Sequence, residues 1–309
     1  MALIFRTDAA RAAAWGAALA RQAPGLDVRM WDAPGNIADI EFALVWKPER
    51  GVLRTFPNLK AIFSIGAGVD HLFTDPELPE GVPVVRMVEP ELTRGMTEYV
   101  VLHVLRHHRR QREIAANQRA QVWDVIEAPT APSRRVGIMG LGELGAAAAR
   151  ALVALEFDVA GWSRTPKRIP GVESFHGEFG MAAFLARSEI LVCLLPLTLE
   201  TEGILNRDLF AKLPRGASLI NAARGGHQVE EDIFAALESG QLSEATLDVF
   251  RQEPLPAGHP FWDHPKVTVT PHNASLTDPK GAVRQVLANI ERIRRGEPPA
   301  NIVDPKAGY

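Results

Sequence analysis

The sequence predicts an α/β chain built from two doubly wound parallel-sheet domains, and three observations carry that expectation. Short apolar runs alternate with helix-compatible stretches through the first third of the chain, the same alternation restarts near Arg134, and the Pro- and Ala-rich stretch 128–132 separates the two series. Alternation of this kind reads as parallel strands covered by helices on both faces. With 309 residues, 46% hydrophobic and 23% charged, the chain can bury two ordinary cores and has the make-up of a soluble globular protein.

Taken in order, residues 2–5, 27–31, 42–46, 59–65 and 83–86 read as the strands of the first series, with helices between them. Residues 97–119 contain neither Pro nor Gly and read as one helix leading onward. The second series takes its strands from 135–139, 157–162, 190–195, 218–221, 244–249 and 268–270, with an Ala-rich helix over 143–155. Residues 279–295 form an amphipathic helix that can cross back. The first domain is therefore expected to be discontinuous, 1–97 with 279–309, and the second to span 98–278. The two crossings would act as hinges over a cleft.

Several function classes are disfavoured. A net charge of −3 and the lack of a long basic stretch argue against a nucleic-acid surface, and the cations of 106–112 read as the exposed end of a helix. Cys193 is the single cysteine, so no internal disulfide exists, and no Cys/His cluster suggests zinc or another metal. Its neighbours Ile190, Leu191, Val192, Leu194 and Leu195 make it a buried strand thiol. The N-terminal residues read as a strand and not as a signal peptide, and no apolar run is long enough to span a bilayer; a cytoplasmic setting is expected.

The run Val136-Gly-Ile-Met-Gly-Leu-Gly-Glu-Leu-Gly145 sits where a buried strand passes into a helix. Gly140 permits the tight turn, Gly142 lets the backbone approach a pyrophosphate, and Gly145 lets helix and strand pack closely, with Glu143 and Leu144 completing the loop. Unsatisfied N–H groups and the helix dipole favour an anion there. A Rossmann cofactor domain follows. After the second strand, the position where an NAD enzyme carries an Asp or Glu holds Ser163, followed by Arg164, Thr165, Lys167 and Arg168. Cations and hydroxyls suit a 2′-phosphate, so NADPH is expected over NADH, with NADH the weaker possibility.

In the first series Ser64-Ile-Gly-Ala-Gly-Val-Asp70 follows an apolar strand, and the bare N–H groups of Gly66, Ala67 and Gly68 can form a nest for a substrate carboxylate. In the second, three predicted strands end in Asn221-Ala-Ala-Arg224-Gly, in Leu247-Asp248 leading to Glu253, and in Thr270-Pro-His272. An Arg, a Glu and a His at one sheet edge suit reduction of a 2-oxo acid. Arg224 can fork onto the substrate, His272 can donate a proton to the developing alkoxide, and Glu253 can hold the imidazole in its protonated form. Trp46 ends a strand on the substrate side and reads either as a pocket wall or as core. Phe261-Trp262 reads as a cleft edge or a loop cap.

These segments together resemble the D-isomer-specific 2-hydroxyacid dehydrogenase family over nearly the whole chain. The matching residues are Gly66-Ala-Gly68, Gly140-Leu-Gly-Glu-Leu-Gly145, Leu194-Leu-Pro-Leu-Thr198 with Thr201, Asn221-Ala-Ala-Arg-Gly225, Leu247-Asp-Val-Phe250 with Glu253-Pro254, and Pro271-His272. The resemblance implies a flavodoxin-like substrate domain beside the Rossmann domain, and Arg224, Glu253 and His272 as the catalytic trio. It also implies Asp248 near the nicotinamide carboxamide, and Leu195, Pro196, Thr201, Ala222, Ala223, His272 and Ala274 along the cofactor. Members are usually homodimers through the first helix of the cofactor domain. Within the family the chain most resembles the glyoxylate/hydroxypyruvate reductase A group, on Val45-Trp46-Lys47-Pro48, residues 64–71, Met96-Thr-Glu-Tyr99 and Trp162-Ser-Arg-Thr165. Asn273 departs from the small or apolar residue that many relatives carry. The readings to be separated are a reductase of small 2-oxo acids such as glyoxylate and hydroxypyruvate, a reductase of bulkier 2-oxo acids such as phenylpyruvate or an oxidoreductase acting on an oxyanion such as phosphite, and a non-catalytic NADP(H)-sensing protein.

Overall fold

A computed structural model describes residues 1–305, 307 and 308. The chain divides into two compact units, Met1–Leu92 with Leu276–Tyr309, and Thr93–Ser275. In the first, β1 (Ala2–Arg6), α1 (Ala9–Gln22), β2 (Asp27–Met30), β3 (Ile40–Val45), β4 (Ala61–Ser64), α2 (Asp70–Phe73) and β5 (Val84–Val85) alternate as the sequence predicts. Its sheet runs β2-β1-β3-β4-β5, parallel throughout, which is the flavodoxin-type order. Nearly every residue of β1, β3 and β4 is buried, because helices or loops cover both faces. One layer holds Trp15, Phe42, Phe63 and Val286; the other holds Ile4, Ile40, Ile62 and Leu72.

The chain passes onward through α3 (Pro90–His108) and α4 (Gln111–Ala120). The single helix expected over 97–119 is thus two. Arg110 takes a left-handed conformation, φ 52°, which no regular helix accommodates, and its guanidinium turns onto Glu113 at 2.9 Å. The histidines of this stretch also depart from the exposed helix end read from the sequence. His107 and His108 are buried, and His107 is held between Glu244 at 2.9 Å and Thr246 at 3.1 Å.

The second unit continues with β6 (Arg135–Met139), α5 (Glu143–Ala154), β7 (Asp158–Ser163), β8 (Val172–His176), α6 (Gly177–Arg187), β9 (Ile190–Cys193), α7 (Arg207–Phe210), β10 (Ala217–Asn221), α8 (Glu230–Ser239), β11 (Leu242–Leu247) and β12 (Val267–Val269). The sheet order is β12-β11-β10-β9-β6-β7-β8, again parallel. The chain winds one way from β6 and the other way from β9, so the carboxyl ends of these two strands form the topological switch point where ligands of such sheets bind. Cys193 is buried in β9 as expected, and burial pushes its thiol up to about 12. Strand β8 has no counterpart in the sequence reading. The chain returns to the first unit with α9 (Pro279–Arg294), opened by Asp278, whose carboxylate accepts from Gly281 N at 3.0 Å, and by Pro279 in the first turn. Among the described residues no helix is long and apolar enough to cross a membrane, and no group of His, Cys, Asp or Glu is arranged to hold a metal ion.

Candidate active site

Strands β10, β11 and β12 pair in register, with Asn221 beside Leu247 and Leu247 beside Val269, so the segments that follow all leave at one sheet edge. After β10, the buried Asn221 folds the chain into a turn: its Oδ1 accepts from Ala223 N at 3.1 Å and its Nδ2 donates to Arg224 O at 3.1 Å. Arg224 emerges there half-buried, with Nη1 donating back to the Ala223 carbonyl at 2.7 Å. The next residue, Gly225, packs directly on the backbone of Phe250, and Arg251 Nε reaches Gln228 O at 2.8 Å. The Arg224 turn and the segment leading to Glu253 are thereby held side by side.

Glu253 and His272 meet. Glu253 Oε2 lies 2.9 Å from His272 Nδ1, while Oε1 accepts from Phe250 N at 3.1 Å, which fixes the carboxylate's direction. The imidazole is about one third exposed, its side chain retaining 34% of its accessible surface, so a proton on its far nitrogen can reach a substrate. His272 has φ 50°, a conformation costing a non-glycine residue roughly 1–2 kcal/mol.

Asp248 holds the histidine there. It is 1% exposed, and its two oxygens accept from Thr270 Oγ1 at 2.6 Å, Asn273 N at 3.0 Å and Ala274 N at 3.0 Å. Its backbone carbonyl accepts from His272 N at 2.8 Å. Burial pushes the Asp248 carboxyl up, against the pull of the bonds from Thr270, Ala274 and Asn273 and of the His272 charge. Thr270 also contacts Tyr99 Oη at 2.7 Å, and burial drives that phenol above its ordinary range. Tyr99 and Thr270 thus buttress Asp248 through a link that the sequence reading missed. Their bond joins positions 171 residues apart, and no local pattern announces it.

At the switch point, Gly140 has φ 101° and a Cβ there would meet the Leu194 carbonyl oxygen at 2.6 Å; a Cβ on Gly145 would meet the Gly140 carbonyl oxygen at 1.8 Å. Both must be glycine for the turn to pack. Gly142 differs, because a Cβ there would meet nothing within 4 Å. Open space before a bare loop, at the start of a helix whose first turn no side chain caps, leaves backbone N–H groups unobstructed, as an anion such as a pyrophosphate requires. Leu195, Ala222, Ala223 and Ala274 are buried near the same strand ends, and Thr201 Oγ1 donates to Pro196 O at 2.7 Å, pinning that turn. These residues fit a dinucleotide.

At the end of β7, Ser163 is buried and its hydroxyl donates to Thr165 O at 2.8 Å, so its proton shapes the turn. Arg164, Thr165, Lys167 and Arg168 stand exposed around it. The Arg164 charge is felt by Glu200, whose carboxyl is held below its usual range by Thr198 first, then by its own backbone N–H and by Arg164. Phe261 is core, stacked on Phe234 with centroids 4.3 Å apart, while Trp262 is about half exposed and donates to Pro256 O at 3.0 Å. Phe261 is therefore not a cleft edge.

In the first unit, Ser64 closes the glycine loop, donating to Gly68 O at 3.2 Å and accepting from Gly66 N at 3.3 Å. Trp46 follows β3 and lies on the loop: a Cβ on Gly66 would sit 2.9 Å from its Cζ3. His71 packs against the indole with centroids 4.6 Å apart.

Residues 101–274 match the model of the D-isomer specific 2-hydroxyacid dehydrogenase NAD binding domain. The chain belongs to the D-isomer specific 2-hydroxyacid dehydrogenase family. Glyoxylate/hydroxypyruvate reductase A of Serratia proteamaculans is 45% identical over the full length of both chains. Among solved structures, a family member from Xanthobacter autotrophicus, in complex with NADPH and MES, superposes with a TM-score of 0.96 at 47% identity, covering 100% of this chain and 99% of that one. An NADPH-dependent glyoxylate/hydroxypyruvate reductase from Sinorhizobium meliloti, in complex with NADP and sulfate, gives 0.94 at 42% identity with full coverage of both.

Proposed function

We propose that the chain is an NADPH-dependent reductase converting small 2-oxo acids, glyoxylate and hydroxypyruvate foremost, to D-2-hydroxy acids. The observation that carries this reading is the Glu253–His272 pair, 2.9 Å apart, at the same sheet edge as the Arg224 turn and the Gly140–Gly145 loop. The names of the Serratia and Sinorhizobium relatives and the NADPH and NADP in the two solved neighbours support substrate and cofactor.

NADPH, when bound, supplies the hydride. Gly140, Gly142, Glu143, Leu144 and Gly145 receive its pyrophosphate, and Arg164, Thr165 and Lys167, on the turn shaped by Ser163, receive its 2′-phosphate; NADH is the weaker alternative. Leu195, Pro196, Thr201, Ala222, Ala223 and Ala274 flank the nicotinamide side, with Asp248 acting there through the His272 segment it grips. Arg224 forks onto the substrate carboxylate and keto oxygen, fixing orientation and drawing charge onto the oxygen. His272 holds a proton on Nε2 and passes it to the alkoxide, while Glu253 accepts from Nδ1 and balances the imidazolium. Trp46, Gly66, Ala67 and Gly68 are further substrate contacts in this reading.

The reductase is further proposed to be a cytoplasmic homodimer. Leu102 on α3 and Val122, Trp123 and Val125 after α4 are left in water, Trp123 entirely, and such side chains are characteristic of a surface covered by a second copy.

The test is NADPH oxidation with glyoxylate, hydroxypyruvate, pyruvate and phenylpyruvate. Turnover of the first two is expected to dominate. Preference for phenylpyruvate would move the assignment to bulkier 2-oxo acids, and silence across the panel with NADPH binding intact would leave a sensing protein.

A further inference from the structure

His227 lies outside every role described so far. It ends the 3-10 turn Gly225–His227 that follows Arg224, and it is 0% exposed. Its Nδ1 lies 3.2 Å from Arg224 N and 3.1 Å from Arg224 O, and its Nε2 lies 3.2 Å from Pro196 O. These contacts determine the tautomer. The Pro196 carbonyl can only accept, so Nε2 carries the hydrogen. The Arg224 N–H can only donate, so the Nδ1 lone pair accepts it at 3.2 Å. A neutral ring thus bridges two turns, with a directed bond at each end.

The turns it bridges serve different ligands in the proposed reaction. Arg224 meets the 2-oxo acid; the Pro196 turn, braced by Thr201 Oγ1 to Pro196 O at 2.7 Å and Thr198 N to Thr201 Oγ1 at 2.8 Å, flanks the cofactor. Their backbones also travel together, Gly203 N donating to Gly226 O at 2.9 Å and Leu205 N to His227 O at 2.8 Å. We infer that His227 is a positioning residue that sets substrate grip through its Nδ1 bond to Arg224 and cofactor grip through its Nε2 bond to Pro196, one ring serving the two ligands through separate bonds. The substrate half of this inference rests on the reductase reading; the cofactor half needs only dinucleotide binding.

Two near-isosteric substitutions separate the bonds. His227→Asn keeps an acceptor at the Nδ1 level and loses the reach to Pro196, whereas His227→Gln keeps an amide N–H at the Nε2 level and loses the acceptor for Arg224. Each lost bond is worth about tenfold in the constant it supports. NADPH Kd, measured by fluorescence titration without turnover, is expected to rise about tenfold in His227→Asn with glyoxylate KM near that of the parent. In His227→Gln the pattern is expected to reverse. A merely structural histidine would lower the melting temperature of both variants without splitting KM from Kd, and parallel shifts or no shift in the two constants would overturn the inference. If the parent protein reduces no 2-oxo acid, the reductase reading fails, while the Kd difference between the two variants still decides the role of His227.

Discussion

Gly225 stands so close to the chain leaving β11 that a Cβ on it would lie 1.9 Å from the carbonyl carbon of Phe250 and 2.0 Å from its oxygen. Two backbones that near cannot part for a methyl group without moving the Arg224 turn. Gly225→Ala is therefore expected to lower kcat/KM by about 10²-fold, the scale of an ångström's misplacement of a catalytic group, and to destabilise the fold by about 1–3 kcal/mol. Steady-state kinetics and denaturant melts check both; parent-like kcat/KM would show that the turn tolerates displacement.

His272→Ala is expected to reduce kcat by roughly 10²-fold or more, the usual scale of a lost general acid. Glu253→Gln removes the charge beside Nδ1 but keeps a hydrogen-bond acceptor, so a smaller loss, about tenfold, is expected. Single-turnover rates measure the chemical step directly. Near-parental turnover in His272→Ala would remove the proton-donor role.

Arg164→Asp replaces a cation on the exposed turn after β7 with a carboxylate suited to a ribose 2′-hydroxyl. The ratio of kcat/KM for NADPH over NADH is expected to fall by roughly 10- to 100-fold, the worth of a charge-assisted contact. An unchanged ratio would mean that the 2′-phosphate is read elsewhere.

His103 supplies a pH dependence. It is buried against Tyr99, ring centroids 4.3 Å apart, and burial first, then the Arg106 and His107 charges, push its pKa from 6.5 down to about 4. Between those values the unfolded chain binds a proton that the folded chain does not, so stability is present above the unfolded value and is lost as pH falls toward the folded one. At about 1.4 kcal/mol per pH unit the loss approaches about 3 kcal/mol. Urea melts between pH 7 and pH 4 should show that slope in the parent and a shallower one in His103→Gln; equal slopes would contradict it.

Much of this architecture is written locally. Strands such as β3, β4 and β9 are near-continuous apolar runs because both faces are covered, and the glycine run announces its own turn through Gly140 and Gly145, where a Cβ would clash. Arg224, Glu253 and His272 were legible because each follows a strand end. Strand β8 was not, since Val172–His176 pairs only with β7 and keeps polar residues outward, leaving no apolar run to read. The break at Arg110 rests on one backbone angle that helix propensity does not encode. The bonds of Tyr99, Thr270, Asp248 and His227 join distant segments through polar groups, and such pairings have no period to detect.

Arg224, Glu253, His272, the Gly140–Gly145 loop and the Ser163 turn all fall within Thr93–Ser275, whereas Trp46 and the Gly66–Gly68 loop belong to the other unit. On the proposed reading, the residues that deliver the proton and select the cofactor lie in one uninterrupted block of chain. Under that reading, exchanging Met1–Leu92 together with Leu276–Tyr309 for the corresponding pieces of a relative is expected to retune which acid is accepted while the reaction itself persists. The discontinuity of the first unit makes that exchange a matter of two splice points, one inside α3 and one just before α9.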